Sequence, residues 1–280
     1  MEIIVVKILV SIGIVVILAE LSKRVNPVLA GLLTGLPLGT GLSVYFIAYE
    51  QGIDFMLEGI PWGIAGLSAV VVFYLTYYIS GKFSKKMGNI FSTFCTSFCG
   101  IFSFFLVSYL LQKLEISLTR AVILFLVVFI FNLRIINILY DGEGITAQKT
   151  KSTFGQLLLR GAIIAFIIVL ITGAASIVGS EWAGILSSFP SALFALLLVL
   201  QYEGGIRYYP SVIYGFAYGI STLMVFYILC FFMLPLFGLN WAYLLIYLLC
   251  GLYLFWFNKV RRCLRKQHDH LKFFKLGSRG

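Results

Sequence analysis

The chain has 280 residues, of which 61% are hydrophobic and 11% charged, and its formal net charge is +10. Soluble domains are on average about half apolar and about a quarter charged, so this composition excludes an ordinary soluble fold. Membrane β-barrel strands alternate apolar and polar residues, whereas these apolar runs are continuous and about 20 residues long, the length of a helix that crosses a bilayer. The composition therefore predicts an all-α integral membrane protein.

Nine apolar segments follow one another along the chain, and each is predicted to be a transmembrane helix. They cover residues 3–20, 28–48, 60–80, 88–112, 118–140, 153–178, 183–201, 212–236 and 239–258. The break between the last two segments falls at about residues 235–240. An odd number of spans places the two ends of the chain on opposite sides of the membrane.

The distribution of basic residues predicts which end lies inside. With the amino terminus outside, sixteen of the 21 Lys and Arg residues lie on the inner side and two lie in the outer loops. The positive-inside rule then places the carboxyl terminus in the cytoplasm and the protein in the inner or plasma membrane. Because the positive-inside rule accounts for the positions of the Lys and Arg residues, the net charge of +10 does not indicate a nucleic-acid partner. The basic tail, 259–280, either fixes orientation or binds anionic lipid headgroups.

Two halves of the chain resemble each other at a fixed offset. Shifting the chain by 153 residues places Pro37 on Pro190, Glu50 on Glu203, and Lys7 on Arg160. Between residues 30 and 77, fourteen of 48 positions are identical without a gap. We predict a first four-span repeat at 1–112, a linking span and loop at 113–152, and a second four-span repeat at 153–258.

The single linking span gives the repeats opposite orientations. Four spans plus one is an odd number, so the second repeat enters from the other side, which predicts a nine-helix 4+1+4 bundle with inverted repeats. The repeat unit is AG-x₅-P, then Glu followed by Gly two residues later, after a Lys or Arg early in the first helix. It resembles the GlpM-like family of four-span inner-membrane proteins. That resemblance implies a fused, inverted pair of such units, and it implies no substrate.

The second and seventh spans are the candidate binding region, because each contains a proline near its middle. Proline removes a backbone donor and breaks a helix, and paired broken spans in two halves are typical of transporter sites. We expect the carbonyls before each proline to lose their helix partners and to face a shared cavity. The candidate substrate-binding residues are Thr34, Gly35, Pro37, Thr40, Ser43, Ser187, Ser188, Pro190 and Ser191. The alternative is close helix packing through small residues.

Four charged residues are candidate gates or charge pairs. Lys7 and Arg160 lie near opposite faces of the membrane, where they either guard the two mouths and favour an anion or reach the headgroups with extended side chains. Glu50 and Glu203 end the two broken spans. They either pair with those cations, bind a coupling H⁺ or Na⁺, or serve as ordinary loop carboxylates.

These features favour a secondary transporter of a small polar or anionic solute, working by alternating access between inverted repeats. A non-transporting membrane component for envelope assembly, or a channel, remains the alternative, and a homo-oligomer stays open. The two His residues lie in the tail and no Asp lies within a span, so we expect neither an enzyme, nor a metal site, nor a cofactor.

Overall fold

The computed structural model describes residues 5–10, 12–13, 32–86, 88–140, 154–205 and 209–277. Side chains are described in these ranges except at 154, 203–204 and 262–277. Most of the predicted first span, the beginning of the second, the loop at 141–153, the Glu203 side chain and the tail side chains therefore lie outside the described residues.

All regular structure in the described part of the chain is helical. The helices are α1 (Leu38–Gln51), α2 (Ile53–Phe83), α3 (Asn89–Leu111), α4 (Leu118–Leu139), α5 (Phe154–Ser187), α6 (Ser191–Gly204), α7 (Pro210–Gly219) and α8 (Ser221–Gly277), with a short 3₁₀ turn at Ser84–Lys86. Five stretches are long and apolar enough to cross a membrane: Ile53–Lys86, Asn89–Leu111, Leu118–Leu139, Gly155–Ser187 and Pro210–Arg261. The chain is thus an all-helical, membrane-embedded protein.

Glycines with positive φ interrupt the two longest helices. Gly179 (φ 82°, ψ 170°) divides α5, and Gly238 (φ 67°, ψ 173°) divides α8. Only glycine enters this region of backbone space without a Cβ clash, so each break is placed by its residue type. Gly238 lies within the 235–240 interval that the sequence indicated, and Gly179 lies between the predicted sixth and seventh spans.

Helix α2 forms the centre of the bundle, and α3 and α4 lie at its edge. The most apolar window of α2 is 72% buried, compared with 28% in α3 and 17% in α4. The outer helices expose large apolar side chains, and burial of these side chains gains little because lipid tails are equally apolar. On α3 this face carries Phe91, Phe94, Phe98, Phe102 and Phe105.

The linking helix α4 is joined to both halves of the chain by one buried side chain. Asn132 accepts a hydrogen bond of 2.6 Å from the Tyr74 hydroxyl of α2. Its amide nitrogen donates to the Ala217 carbonyl of α7 at 3.1 Å. A polar side chain inside a membrane bundle needs such partners, because hydrocarbon offers none. Asn132 therefore fixes α4 between the two sequence repeats.

Candidate functional site

The chain breaks at Pro37 and Pro190 in the same way. Pro37 (φ −74°, ψ 48°) precedes α1, and Pro190 (φ −81°, ψ 64°) precedes α6. Around each proline, four backbone hydrogen bonds join equivalent residues. They are Gly35→Leu32, Leu36→Leu33, Leu38→Leu36 and Gly41→Pro37 in the first half, and Ser188→Ile185, Phe189→Leu186, Ser191→Phe189 and Phe194→Pro190 in the second. Every one of these residues is shifted by 153 positions between the halves.

The helices that follow the two breaks have the same length and the same end. Each has 14 residues and is followed by a glycine with positive φ, Gly52 (φ 99°) after α1 and Gly205 (φ 61°) after α6. In each case the glycine amide donates to the carbonyl four residues earlier. The matching sequence positions therefore adopt matching backbone conformations from the break to the end of the half-helix.

Contacts between the two halves are reciprocal. A Cβ added to Gly66 would come within 2.5 Å of Ser188 Oγ and 3.3 Å of the Ile185 backbone, and one added to Gly219 would come within 2.7 Å of Leu32 O. Gly219 also faces Gly35, whose own added Cβ would lie 2.5 Å from the Gly219 carbonyl. Shifting either set of contacts by 153 residues gives the other. Each of these contacts between the halves thus has a counterpart in which the halves are exchanged.

The two breaks meet at a small buried cavity. Its volume is about 10 Å³, which is room for a single water molecule. Ser191 packs against the Cα of Gly39, where a Cβ would overlap the Ser191 hydroxyl. The cavity is lined by Thr34, Leu36, Gly39, Thr40, Pro190, Ser191, Ala192, Leu193, Phe216 and Leu223. The first turns of α1 and α6 thus face one shared space.

Four candidate residues belong to this cavity, and the hydroxyls of three serines have other partners. Thr34, Thr40, Pro190 and Ser191 line it, whereas Pro37 contributes the turn that starts α1. The three serine hydroxyls donate to carbonyls of their own helices: Ser43 to Gly39, Ser187 to Gly184, and Ser188 to Ile185. Gly35 packs against Gly219 instead.

As expected, Pro37 and Pro190 leave Leu33 O and Leu186 O without their usual helix partner, because proline has no amide hydrogen. Leu33 O and Leu186 O, which precede the prolines by one turn, accept hydrogen bonds from residues three positions later. A 3₁₀-type turn therefore satisfies the upstream carbonyls. The first-turn amides of the following helices are further backbone groups without an intrahelical acceptor.

Lys7 forms an ion pair inside the protein. Its ammonium lies 2.7 Å from Glu50 Oε1 and donates a hydrogen bond to Thr172 Oγ1 of α5. It also lies 5.4 Å from the centre of the Phe46 ring. The Lys7 side chain is 4% exposed and that of Glu50 is 21% exposed, so Lys7 points inward rather than to the headgroups. Of the equivalent pair in the second half, Arg160 is half-buried, and the Glu203 side chain lies outside the described residues.

The chain matches no family model, and comparison with curated proteins and with solved structures finds no significant similarity. The resemblance to the GlpM-like family, which rests on short motifs, therefore stays a prediction. The geometry of this chain alone carries the functional argument.

Two tyrosines near the breaks were missed by the sequence analysis. Tyr247 of α8 donates to the Pro37 carbonyl at 2.9 Å, and Tyr227 of α8 forms a 2.8 Å hydrogen bond with Ser187. Both therefore hold a break in place from another helix. A signal was available, because a tyrosine within an apolar span needs a partner for its hydroxyl. The identity of that partner depends on the tertiary fold.

Proposed function

We propose that the chain forms nine membrane crossings arranged as inverted 4+1+4 repeats. One crossing needs about 20 residues. Helix α5 has 34 residues and α8 has 57, so the breaks at Gly179 and Gly238 divide helices that are too long for a single crossing. The reciprocal contacts of Gly66 and Gly219 support a two-fold relation between the repeats. The basic inner loops support the amino terminus outside and the carboxyl terminus in the cytoplasm.

On this arrangement we propose a secondary transporter of a small polar or anionic solute. The observation that carries the proposal is the meeting of two half-helices, one from each repeat, with their amino-terminal turns at one buried cavity. Half-helix amino termini at the interface of inverted repeats are the means by which many transporters recognise anionic groups. Movement of one repeat against the other would expose this position to each side in turn.

The Lys7–Glu50 pair is the proposed gate of one mouth. It joins the helical segment at residues 5–10 to the end of α1, and the hydrogen bond from Lys7 to Thr172 joins both to α5 of the second repeat. A contact between the repeats that depends on charge is suited to control their relative movement. Protonation of Glu50, or binding of Na⁺ there, would weaken it, which gives H⁺ or Na⁺ a route to coupling.

A non-transporting membrane component is the second candidate, favoured by the glycine contacts. Gly35 meets the Gly219 backbone, and Gly59 meets Gly184, so each broken span packs backbone to backbone on a helix of the other half. Close packing of this kind also stabilises rigid helix pairs without any solute.

Currents from proteoliposomes on a solid-supported membrane distinguish the candidates. Concentration jumps of sodium chloride, sodium acetate, sodium lactate, glycine and glycerol would be applied to liposomes with and without the protein. A saturable, protein-dependent current or counterflow with one of them supports the transporter. Unitary currents in planar bilayers indicate a channel, and no response to any solute favours the non-transporting component.

Gly39→Ala is the site variant for this assay, with Gly173→Ala as its matched control. A methyl at position 39 would occupy the space of the Ser191 hydroxyl, whereas a methyl at position 173 would meet nothing within 4 Å. Transport through the cavity requires that Gly39→Ala reduce the current and Gly173→Ala leave it unchanged. Equal currents from both variants would place the solute pathway elsewhere.

A further inference from the structure

Residues of the first turns of α1 and α6 line the cavity, Gly39 and Thr40 from α1 and Ala192 and Leu193 from α6. The amides of a helix's first turn point out of its amino-terminal end. Among the described residues, these four amides donate no backbone hydrogen bond. The amino terminus of a helix carries roughly half a positive charge, so two of them offset about one negative charge.

A second, independent feature of the cavity is the hydroxyl of Ser191. The residue is 1% exposed and lines the cavity, and its Oγ has no hydrogen-bond partner in the described part of the chain. A buried hydroxyl without a partner is costly, and a ligand that accepts a hydrogen bond from it would remove that cost. The hydroxyl rests against Gly39, so it lies beside the amides of the opposite half-helix.

The size and lining of the cavity define the ligand. About 10 Å³ accommodates one water-sized species, so phosphate, sulfate and organic acids are too large for this cavity. No described side chain in the lining is charged, and Leu36, Leu193, Phe216 and Leu223 form its apolar wall. A multiply charged anion would lack compensation there, whereas a single charge matches the two helix termini.

We infer that this cavity binds a small monovalent anion of halide size, coordinated by the first-turn amides of α1 and α6 and by the Ser191 hydroxyl. The assignment of this anion as the transported solute rests on the proposed function, whereas the binding of the anion is independent of that function. The first-turn amides can only donate, so they favour a ligand that accepts hydrogen bonds over a cation.

Halide binding to the purified full-length protein tests the inference. The protein is kept in detergent and sodium gluconate, and its thermal unfolding midpoint is followed during titration with sodium fluoride or sodium chloride. We expect a saturable rise with at least one halide. Ser191→Ala should weaken the apparent affinity by about tenfold to a hundredfold, the range for a hydrogen bond to a charged group. Ser188→Ala is the matched control, because its hydroxyl is bonded to Ile185 O and lies outside the cavity lining.

A second measurement tests halide binding with the wild-type protein alone. In ¹⁹F NMR, the fluoride signal should broaden in the presence of the wild-type protein and sharpen again when chloride is added in excess. Equal stabilisation by sulfate at matched ionic strength, with the same response in Ser191→Ala, would mean a general salt effect and overturn the site. So would a halide affinity that Ser191→Ala leaves unchanged.

The two proposals fail in different ways. Saturable halide binding without a current for any solute supports the anion site and removes transport. A solute current from a protein that binds no halide supports transport and overturns the anion site.

Discussion

Replacement of Gly184 by Ala tests the close approach of α2 and α5. A Cβ at position 184 would overlap the carbonyl oxygen of Gly59, and one at position 59 would lie 2.7 Å from Ser180 O. These obstacles are backbone atoms, which cannot rotate away as a flexible side chain can. The two helices would have to separate, and overpacking of this kind costs about 1–3 kcal/mol.

The matched control is Gly173→Ala in the same helix. Apart from its chain neighbours and the backbone of its own helix, no atom of the described residues lies within 4 Å of a Cβ at this position. Only helix propensity therefore changes, and Ala is favoured over Gly by about 0.5–1 kcal/mol. Both variants gain this helix propensity, so it cancels, and their free energies of unfolding should differ by the overpacking cost of about 1–3 kcal/mol, with Gly184→Ala the less stable. Unfolding in mixed SDS micelles, followed by Trp fluorescence, measures this difference. Equal stability of the two variants would refute the close approach.

Three other perturbations address the charge pair, the linking helix and the topology. Glu50→Gln should lower the free energy of unfolding by about 1–3 kcal/mol, because Lys7 stays buried without its counter-ion. Adding Lys7→Met to that variant should recover part of the loss, and no recovery would argue against the ion pair. Asn132→Leu should lower the free energy of unfolding by about 1–3 kcal/mol, since two buried partners each lose a hydrogen bond. An unchanged stability would contradict the role of Asn132 in holding α4. In intact cells, an impermeant thiol reagent should modify Cys at position 54 and spare Cys at position 85, in a background without other cysteines; equal labelling would contradict the orientation.

The sequence alone predicted the helical class and the positions of the breaks. Hydropathy predicted apolar helices, because each apolar run must satisfy its backbone hydrogen bonds within hydrocarbon. The fixed offset indicated that Pro37 and Pro190 are equivalent, and both begin a 14-residue half-helix. These predictions depend on local chemistry, namely a missing amide at proline and a permitted positive φ at glycine, which a single sequence carries.

The direction of polar side chains was not predictable in the same way. Ser187 and Ser191 lie four residues apart on the two sides of the break, yet Ser187 bonds to Tyr227 while Ser191 faces the cavity. The sequence left two interpretations for Lys7, contact with the headgroups or an ion pair with Glu50. The choice between them depends on the packing of α5, whose Thr172 accepts a hydrogen bond from Lys7. Tertiary neighbours determine where these side chains point, and these neighbours cannot be identified from a single sequence without its fold.

The difference between the repeats is as informative as their likeness. Shifting Ser191 by 153 residues gives Leu38, so the second half supplies a hydroxyl where the first supplies an apolar side chain. The amides at the cavity come from both halves, because the helix breaks are the same in each. The hydroxyl comes from one half only. At the proposed anion site, charge compensation would therefore come from both repeats, because both contribute a helix amino terminus. The added hydroxyl donor of Ser191 would come from the second repeat alone.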